Sequence, residues 1–218
     1  GGEESPTTKH PPNPRSPDQS HHTQSPPTPK APTPGADRAK PQRKSRENGL
    51  WIKYESAGID YLDINSGKIN HIINAYFLDK NNLSIHRKSW LVTQDRFLWF
   101  KTMKNELFSF DIQKKTLSRR NLNFNSDEII YNILEDKNKN IWVLTQKNLK
   151  IFDKKTNRFT KIPIPYTMFA NKLQQNNIEA VLFHQRKNGE LMWADKERFY
   201  FFDLATKNFR NEKLPFSS

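Results

Sequence analysis

The chain has 218 residues, sets 36 Lys and Arg against 23 Asp and Glu for a net charge of +13, and contains no cysteine. That composition excludes a disulfide framework, a thiolate metal centre and a cysteine nucleophile. No apolar run approaches the ~20 residues of a membrane-crossing helix, and GGEESPTTKH at the start lacks the apolar stretch of a secretory signal. In chain order, residues 1–48 come first, with 11 of the 14 prolines and no Ile, Leu, Val, Met, Phe, Tyr or Trp. A segment with nothing apolar to bury cannot offset ~1–2 kcal/mol of backbone entropy per residue, which predicts a disordered Pro-rich leader that the rest of the chain can do without. PPTPKAPTP (26–34) reads as an extended spacer. Gly, Ala, Arg and Pro, residues with G/C-rich codons, dominate the leader, whereas Phe, Tyr, Ile, Asn and Lys dominate afterwards. The break predicts that two unrelated coding stretches meet near Asn48.

Residues 49–218 hold all 26 aromatic residues and repeat. LWIKYESAGIDYLDINSGKI (50–69), LWFKTMKNELFSFDIQKKTL (98–117), IWVLTQKNLKIFDKKTNRF (141–159) and LMWADKERFYFFDLATKNF (191–209) align on Asp63, Asp111, Asp153 and Asp203, which are 48, 42 and 50 residues apart. Four residues before each Asp stand Ile59, Leu107, Leu149 and Phe199. Directly before it stand Leu62, Phe110, Phe152 and Phe202, and six after it Ile69, Leu117, Phe159 and Phe209. Trp51, Trp99, Trp142 and Trp193 lead the copies at 12, 12, 11 and 10 residues before the Asp, a drift that leaves Met192 as an alternative occupant of the fourth position.

The third copy shows the local structure best. IIYNILE (129–135), IWVLT (141–145), NLKIF (148–152) and RFTKIPI (158–164) are β-branched and aromatic runs separated by DKNKN and by Asp153–Asn157, the pattern of four strands joined by tight turns. An Asp at the head of a turn can accept the backbone amides just ahead of it, which accounts for its recurrence without catalysis. Asn-Gly pairs at 48–49 and 188–189 predict two-residue hairpin turns, and 165–177 an irregular connection or one helical turn. Four strands at a period of about 47 residues specify all-β β-propeller blades, and helical solenoids lack support because no 3.6-residue apolar period is sustained. Four such units are too few to close a ring of seven, about 330 residues. The expectation is an open arc over 49–218, its first blade lacking the leading strand, with unpaired edges and an exposed apolar blade face.

These residues resemble the two-component regulator propeller repeat, whose pattern runs from an apolar strand through Asp, a Gly or Asn turn and Ile-Trp-Val to Leu-x-x-Tyr-Asp, a Thr turn and Phe. NILEDKNKNIWVLTQKNLKIFDKKTNRF (132–159) carries it most fully. The resemblance implies the periplasmic sensor region of a bacterial hybrid two-component histidine kinase, in which two seven-bladed propellers precede a β-sandwich, a membrane helix and the kinase. It also implies an oligosaccharide ligand, a homodimeric parent supplying the remaining blades, and no cofactor. Two features depart from the pattern: the Gly-Gly loop survives only as Gly58, and kinase and receiver motifs are absent.

No catalytic constellation stands out. His21-His22 lies in the leader without further spaced ligands, so no metal site is read there. His71, His86 and His184 are scattered. Asp127-Glu128 and Glu135-Asp136 are strand or turn neighbours that point to opposite faces and cannot pair as acid and base. Trp51, Trp99 and Trp142 recur too regularly to be anything but packing, which leaves the irregular aromatics Trp90, Tyr166 and Phe169 as ligand-stacking candidates. The net positive charge sits at turns such as Lys114-Lys115 and Lys154-Lys155, without an aromatic-basic nucleic-acid motif, so anionic sugars suit it better than nucleic acid. A propeller-type glycan lyase or hydrolase, and a non-enzymatic protein-interaction scaffold, remain the alternatives to a sensor.

Overall fold

Short alternating runs bounded by Asn, Asp, Lys and Gly favour brief antiparallel strands. The structure, a computed structural model, describes residues 1–2, 40–44, 48–54, 57–123, 128–166, 181–195 and 197–215. The chain divides after Ala36, and every sheet lies in 37–218. Four four-stranded sheets follow one another, each with its strands in sequence order and all neighbours antiparallel. The first is β1 (Lys40–Lys44), β2 (Gly49–Lys53), β3 (Gly58–Asp63) and β4 (Ile69–Asn74). After the helix α1 (Ala75–Lys80) comes β5 (Ile85–Val92), β6 (Phe97–Thr102), β7 (Leu107–Asp111) and β8 (Thr116–Arg120). The third holds β9 (Ile130–Glu135), β10 (Ile141–Thr145), β11 (Asn148–Asp153) and β12 (Arg158–Pro163). The fourth holds β13 (Phe183–Gln185), β14 (Leu191–Ala194), β15 (Arg198–Phe202) and β16 (Phe209–Lys213). First strands meet from sheet to sheet, β5 against β9 and β9 against β13. These are the blades of an incomplete β-propeller.

Three apolar layers fill the three seams between the four sheets. Trp51, Ile59 and Ile73 meet Leu98, Phe100, Phe108 and Phe110 in the first. Leu91, Trp99 and Leu107 meet Ile130, Ile133, Ile141, Val143 and Phe152 in the second. In the third, Tyr131, Leu134, Trp142, Leu144 and Leu149 meet Phe183, Leu191, Trp193, Tyr200 and Phe202. The repeat columns therefore have opposite duties. The residue before each Asp faces the preceding blade, and the residue four before it faces the following one. Both faces of a middle blade are buried, so both columns must be apolar.

Register settles the fourth copy. Leu50, Leu98, Ile141 and Leu191 pair with the residue before each Asp, so the next positions, Trp51, Trp99, Trp142 and Met192, are equivalent. Met192 holds the tryptophan position, and Trp193 turns to the opposite face, stacked on Tyr200 at 5.8 Å.

Four expectations need correction. The first blade has its leading strand, because β1, from within the leader, pairs along β2 with a register break between Pro41 and Lys44. Main-chain pairing at an edge needs no apolar side chain, and an edge is where a strand proline is tolerated. Asn48-Gly49 is no hairpin turn: Gly49 opens β2, and a Cβ there would lie 2.2 Å from the Tyr61 ring. Gly189 does sit in a hairpin turn, at φ +98°, but Arg186 pairs with Glu190, so the loop is the three residues Lys187–Gly189 and not Asn188-Gly189 alone. A helix was not expected, yet Asn74 caps α1 by accepting the Phe77 amide at 2.9 Å, and Leu78 is buried in the first seam. Finally, the outer face of the fourth blade is not bare. Phe201 is only 4% exposed beneath the guanidinium of Arg210, 3.7 Å from its ring centroid, and that of Arg186, both held by Glu190. The outer face of the first blade is more open, with Ile69 48% exposed. The predicted connection at 165–177 lies beyond Tyr166 outside the described residues.

Candidate functional site

Each sheet has two ends with different chemistry. At one end lie the Asp turns. Asp63 accepts the amides of Asn65 and Ser66 at 2.9 and 3.0 Å, Asp111 those of Gln113 and Lys114 at 3.0 and 2.9 Å, and Asp203 those of Ala205 and Thr206 at 2.7 and 3.2 Å. Asp153 accepts from the Lys155 amide and the Thr156 hydroxyl, both at 2.8 Å. These hydrogen bonds hold the carboxyls of Asp63, Asp153 and Asp203 below their ordinary value. An acceptor so engaged stabilises a turn and is a poor base.

A second turn carboxylate, the Asp that opens DKNKN, lies at the same end. Asp136 accepts the amides of Asn138 and Asn140 at 2.9 and 2.8 Å on one oxygen, and Asn140 Nδ2 and Trp142 Nε1 at 2.9 and 2.8 Å on the other. Its counterpart in the second blade is Thr93, whose hydroxyl donates to Asp95 and accepts the Phe97 amide. The Glu135-Asp136 couple is consumed by structure.

The opposite end collects the hairpins between second and third strands and the connections between blades. There Leu122 on one side of the blade-to-blade connection, and Glu128 and Ile130 on the other, are held by a buried polar network. Glu128, 5% exposed, accepts from Asn148 Nδ2 at 2.6 Å and from the Thr145 hydroxyl, and stands 3.5 Å from Lys150 Nζ. Lys150, 1% exposed, also donates to the Leu122 carbonyl at 2.6 Å. Asn105 brackets the strand entrance, donating to the Glu128 carbonyl and accepting the Ile130 amide, each at 2.9 Å. Lys101 donates to the Ile130 carbonyl at 2.8 Å, and burial pushes its ammonium down to about 8. Burial also lowers Lys150, against the pull of Glu128.

Two shallow clefts flank this connection. Asn105, Glu106, Leu107, Arg119, Arg120, Asn121 and Leu122 line one of about 320 Å³. Asn123, Glu128, Lys147, Asn148, Lys161 and Pro163 line a smaller one of about 210 Å³. Amide, guanidinium and ammonium groups along open walls suit hydroxyl-rich or acidic ligands more than apolar ones.

The aromatic candidates are not gathered there. Trp90, on β5, turns to the first seam beside Phe100, and its buried Nε1 has no hydrogen-bond partner among the described residues. Tyr166 packs on the third apolar layer, its ring 5.8 Å from that of Tyr200. Phe169 lies outside the described residues, as does Asp127. Trp51, Trp99, Trp142 and Trp193 are all buried in the seams. His71 pairs with Asp60 at 3.0 Å, away from His184. Among the described residues no three His, Cys, Asp or Glu side chains gather so as to hold a metal ion. Nor is any described helix long and apolar enough to cross a membrane. The sequence reading missed the Glu128 network and the basic residues around His86; the run His86-Arg87-Lys88 was the available signal.

No family model matches the sequence, and a search of curated proteins finds no match. Solved structures do match. The extracellular domain of a hybrid two-component system of Bacteroides thetaiotaomicron, BT3049, is 24% identical over 78% of this chain and 20% of its own, with a TM-score of 0.52. That of BT4673 from the same organism is 15% identical over 79% of this chain and 22% of its own, with a TM-score of 0.56. An auxiliary nutrient binding protein of that organism aligns over 75% of this chain and 44% of its own at 10% identity and a TM-score of 0.51. The chain thus shares the fold of these extracellular domains and spans about a fifth of the length of the two-component chains it matches.

Proposed function

We propose that the blades are part of the periplasmic ligand-sensing propeller of a hybrid two-component sensor histidine kinase. In this reading they contribute to recognition of an oligosaccharide and perform no chemistry; the kinase, the remaining blades and a homodimeric arrangement belong to a longer parent. The observation that carries it is the structural match, over 78% and 79% of this chain, to extracellular domains of two hybrid two-component systems. Two features support the ligand class. The end bearing the blade-to-blade connections offers open clefts lined by Asn, Arg, Lys and Glu, and the net charge of +13 favours acidic sugars over neutral ones.

Calorimetry on the complete sensor region against a panel of neutral and acidic oligosaccharides tests this. Saturable binding without turnover is expected. Release of product from any glycan would select a lyase or hydrolase instead, and silence across the panel would favour a protein-interaction scaffold.

A further inference from the structure

Strand register places the two clefts at the same position in successive blades. Leu107 pairs with Arg120 as Leu149 pairs with Ile162, so Glu106, Arg119 and Asn121 in the second blade correspond to Asn148, Lys161 and Pro163 in the third. Each set lines the cleft of its own blade. Both clefts therefore lie where the hairpin between second and third strands meets the end of the fourth, away from the first strands that meet from sheet to sheet. Blade geometry makes the hollow, and its side chains decide what it holds.

In the third blade those side chains are spent. Asn148 is buried and gives its amide to Glu128 at 2.6 Å, and Pro163 has no donor to offer. In the second blade other groups fix the walls. The Thr102 amide donates to the Glu106 carbonyl at 2.8 Å and the Glu106 amide to the Thr102 hydroxyl at 3.2 Å, which closes the hairpin. Asn105 uses both ends of its side-chain amide, on the Glu128 carbonyl and the Ile130 amide. On the 119–122 side, Asn121 Oδ1 accepts the Asn123 amide at 2.8 Å, and Lys150 holds the Leu122 carbonyl. Leu107 and Leu122 anchor the two sides in the second seam. Three polar ends are left over. Arg119 Nη2 stands 2.9 Å from Glu106 Oε1, with the guanidinium side chain 70% exposed. Glu106 Oε2, the other N–H groups of Arg119 and Asn121 Nδ2 have no partner among the described residues.

The ion pair neutralises itself, so what the cleft offers is directional: forked donors, a single donor and an acceptor, on walls that binding need not order. A vicinal diol matches that set. One hydroxyl oxygen accepts from the guanidinium or the amide, and its neighbour donates to the carboxylate. At about 320 Å³ the cleft lies at the low end of the ~300–1,000 Å³ usual for ligand sites, which suits a sugar ring better than a long chain. We propose that the cleft of the second blade is a saccharide subsite in which Arg119, Glu106 and Asn121 hold a vicinal diol. The saccharide source rests on the sensing function proposed above; the diol chemistry rests on this cleft alone.

The test is nuclear magnetic resonance on the full chain at neutral pH, titrated with maltotriose, with xylotriose and with triethylene glycol, which has ether oxygens but no vicinal diol. At least one trisaccharide should move the amides of 104–107 and 119–122 and the Asn121 side-chain amide saturably in the millimolar range. Triethylene glycol should move none of them, and Asn148 and Lys161 in the third blade should stay still throughout. Asn121→Asp keeps the oxygen that closes its turn and loses the donor, and should weaken binding at least fivefold. Glu106→Gln with Arg119→Gln should abolish the response while the signals of the third and fourth blades stay in place. Affinity unchanged in both variants overturns the assignment to these residues. Equal shifts with triethylene glycol overturn the diol chemistry. Saturable saccharide binding that leaves 104–107 and 119–122 unmoved overturns this site and keeps the sensing function. A response at the cleft, with the complete sensor region silent in calorimetry toward the whole oligosaccharide panel, supports the diol site and sinks the sensing function. No response at the cleft to either trisaccharide at tens of millimolar overturns the site outright.

Discussion

Lys101 and Asp136 show what single polar residues do inside a blade seam. Burial holds Lys101 at about 8, below its ordinary 10.5, so between those values the unfolded chain binds the proton more tightly. Stability must therefore rise with pH from about 8 towards 10.5, by on the order of 1–3 kcal/mol. Tyr131 and Tyr200 act oppositely above about pH 10, since burial pushes both hydroxyls up. Comparing denaturant midpoints of the parent and Lys101→Met from pH 7 to 10 cancels the tyrosines, and the rise should vanish in the variant. An equal slope in both proteins would show that the ammonium is solvated. Asp136→Ala strips the acceptor from two amides and a buried indole and should cost about 2–4 kcal/mol in urea unfolding. The exposed Asp153 supports its turn through a carboxyl held below 3.8. Its contribution is present above pH 3.8 and lost as the pH falls through the folded value, so Asp153→Asn should flatten the acid limb of the stability profile.

At the scale of elements, β1 changes what a truncation should do. Removing 1–36 leaves all sixteen described strands intact, and far-ultraviolet circular dichroism per blade residue should be unchanged. Removing 1–48 takes away β1 and leaves β2 as an unprotected edge. Hydrogen exchange should then quicken at the β2 amides while the third blade keeps its protection. Equal exchange in both truncations would mean that β1 contributes nothing. The tryptophan column makes a second case. Trp99 is buried in the second seam with Phe152 edge-on at 5.1 Å and the Arg120 guanidinium over both rings. Trp99→Ala should cost roughly 3–5 kcal/mol, the usual range for emptying an aromatic site in a core. Met192, in the equivalent position, faces outward and should tolerate Ala far better.

At the scale of the whole blade array, three seams join four blades, and two outer faces have no blade against them among the described residues. The first blade exposes Ile69; the last covers Phe201 with Arg186, Glu190 and Arg210 but leaves Met192 and Phe199 half-exposed. Arrays without fully polar end faces associate. Light scattering on the full chain should show concentration-dependent association, made worse by Arg210→Ala. A monodisperse, cooperatively melting monomer would instead show that the arginine cover suffices.

Sequence alone determined the blades. The Asp turns, the period of about 47 residues and the alternating columns are local signals, because a turn is closed by side chains two or three residues away and a strand repeats its face every two residues. NILEDKNKNIWVLTQKNLKIFDKKTNRF could be divided into strands almost to the residue for that reason. Tertiary structure alone decided which face each column serves, that Met192 and not Trp193 stands in the fourth tryptophan position, and that Lys40–Lys44 completes the first blade. Those outcomes depend on register and on partners far away in sequence. So do the buried polar contacts: Glu128 accepts from Asn148 twenty residues on, Lys101 reaches the Ile130 carbonyl of the next blade, and Ser89 in the β5 bulge is pinned by a carbonyl 42 residues away. No local pattern encodes a bulge whose anchors lie in another blade.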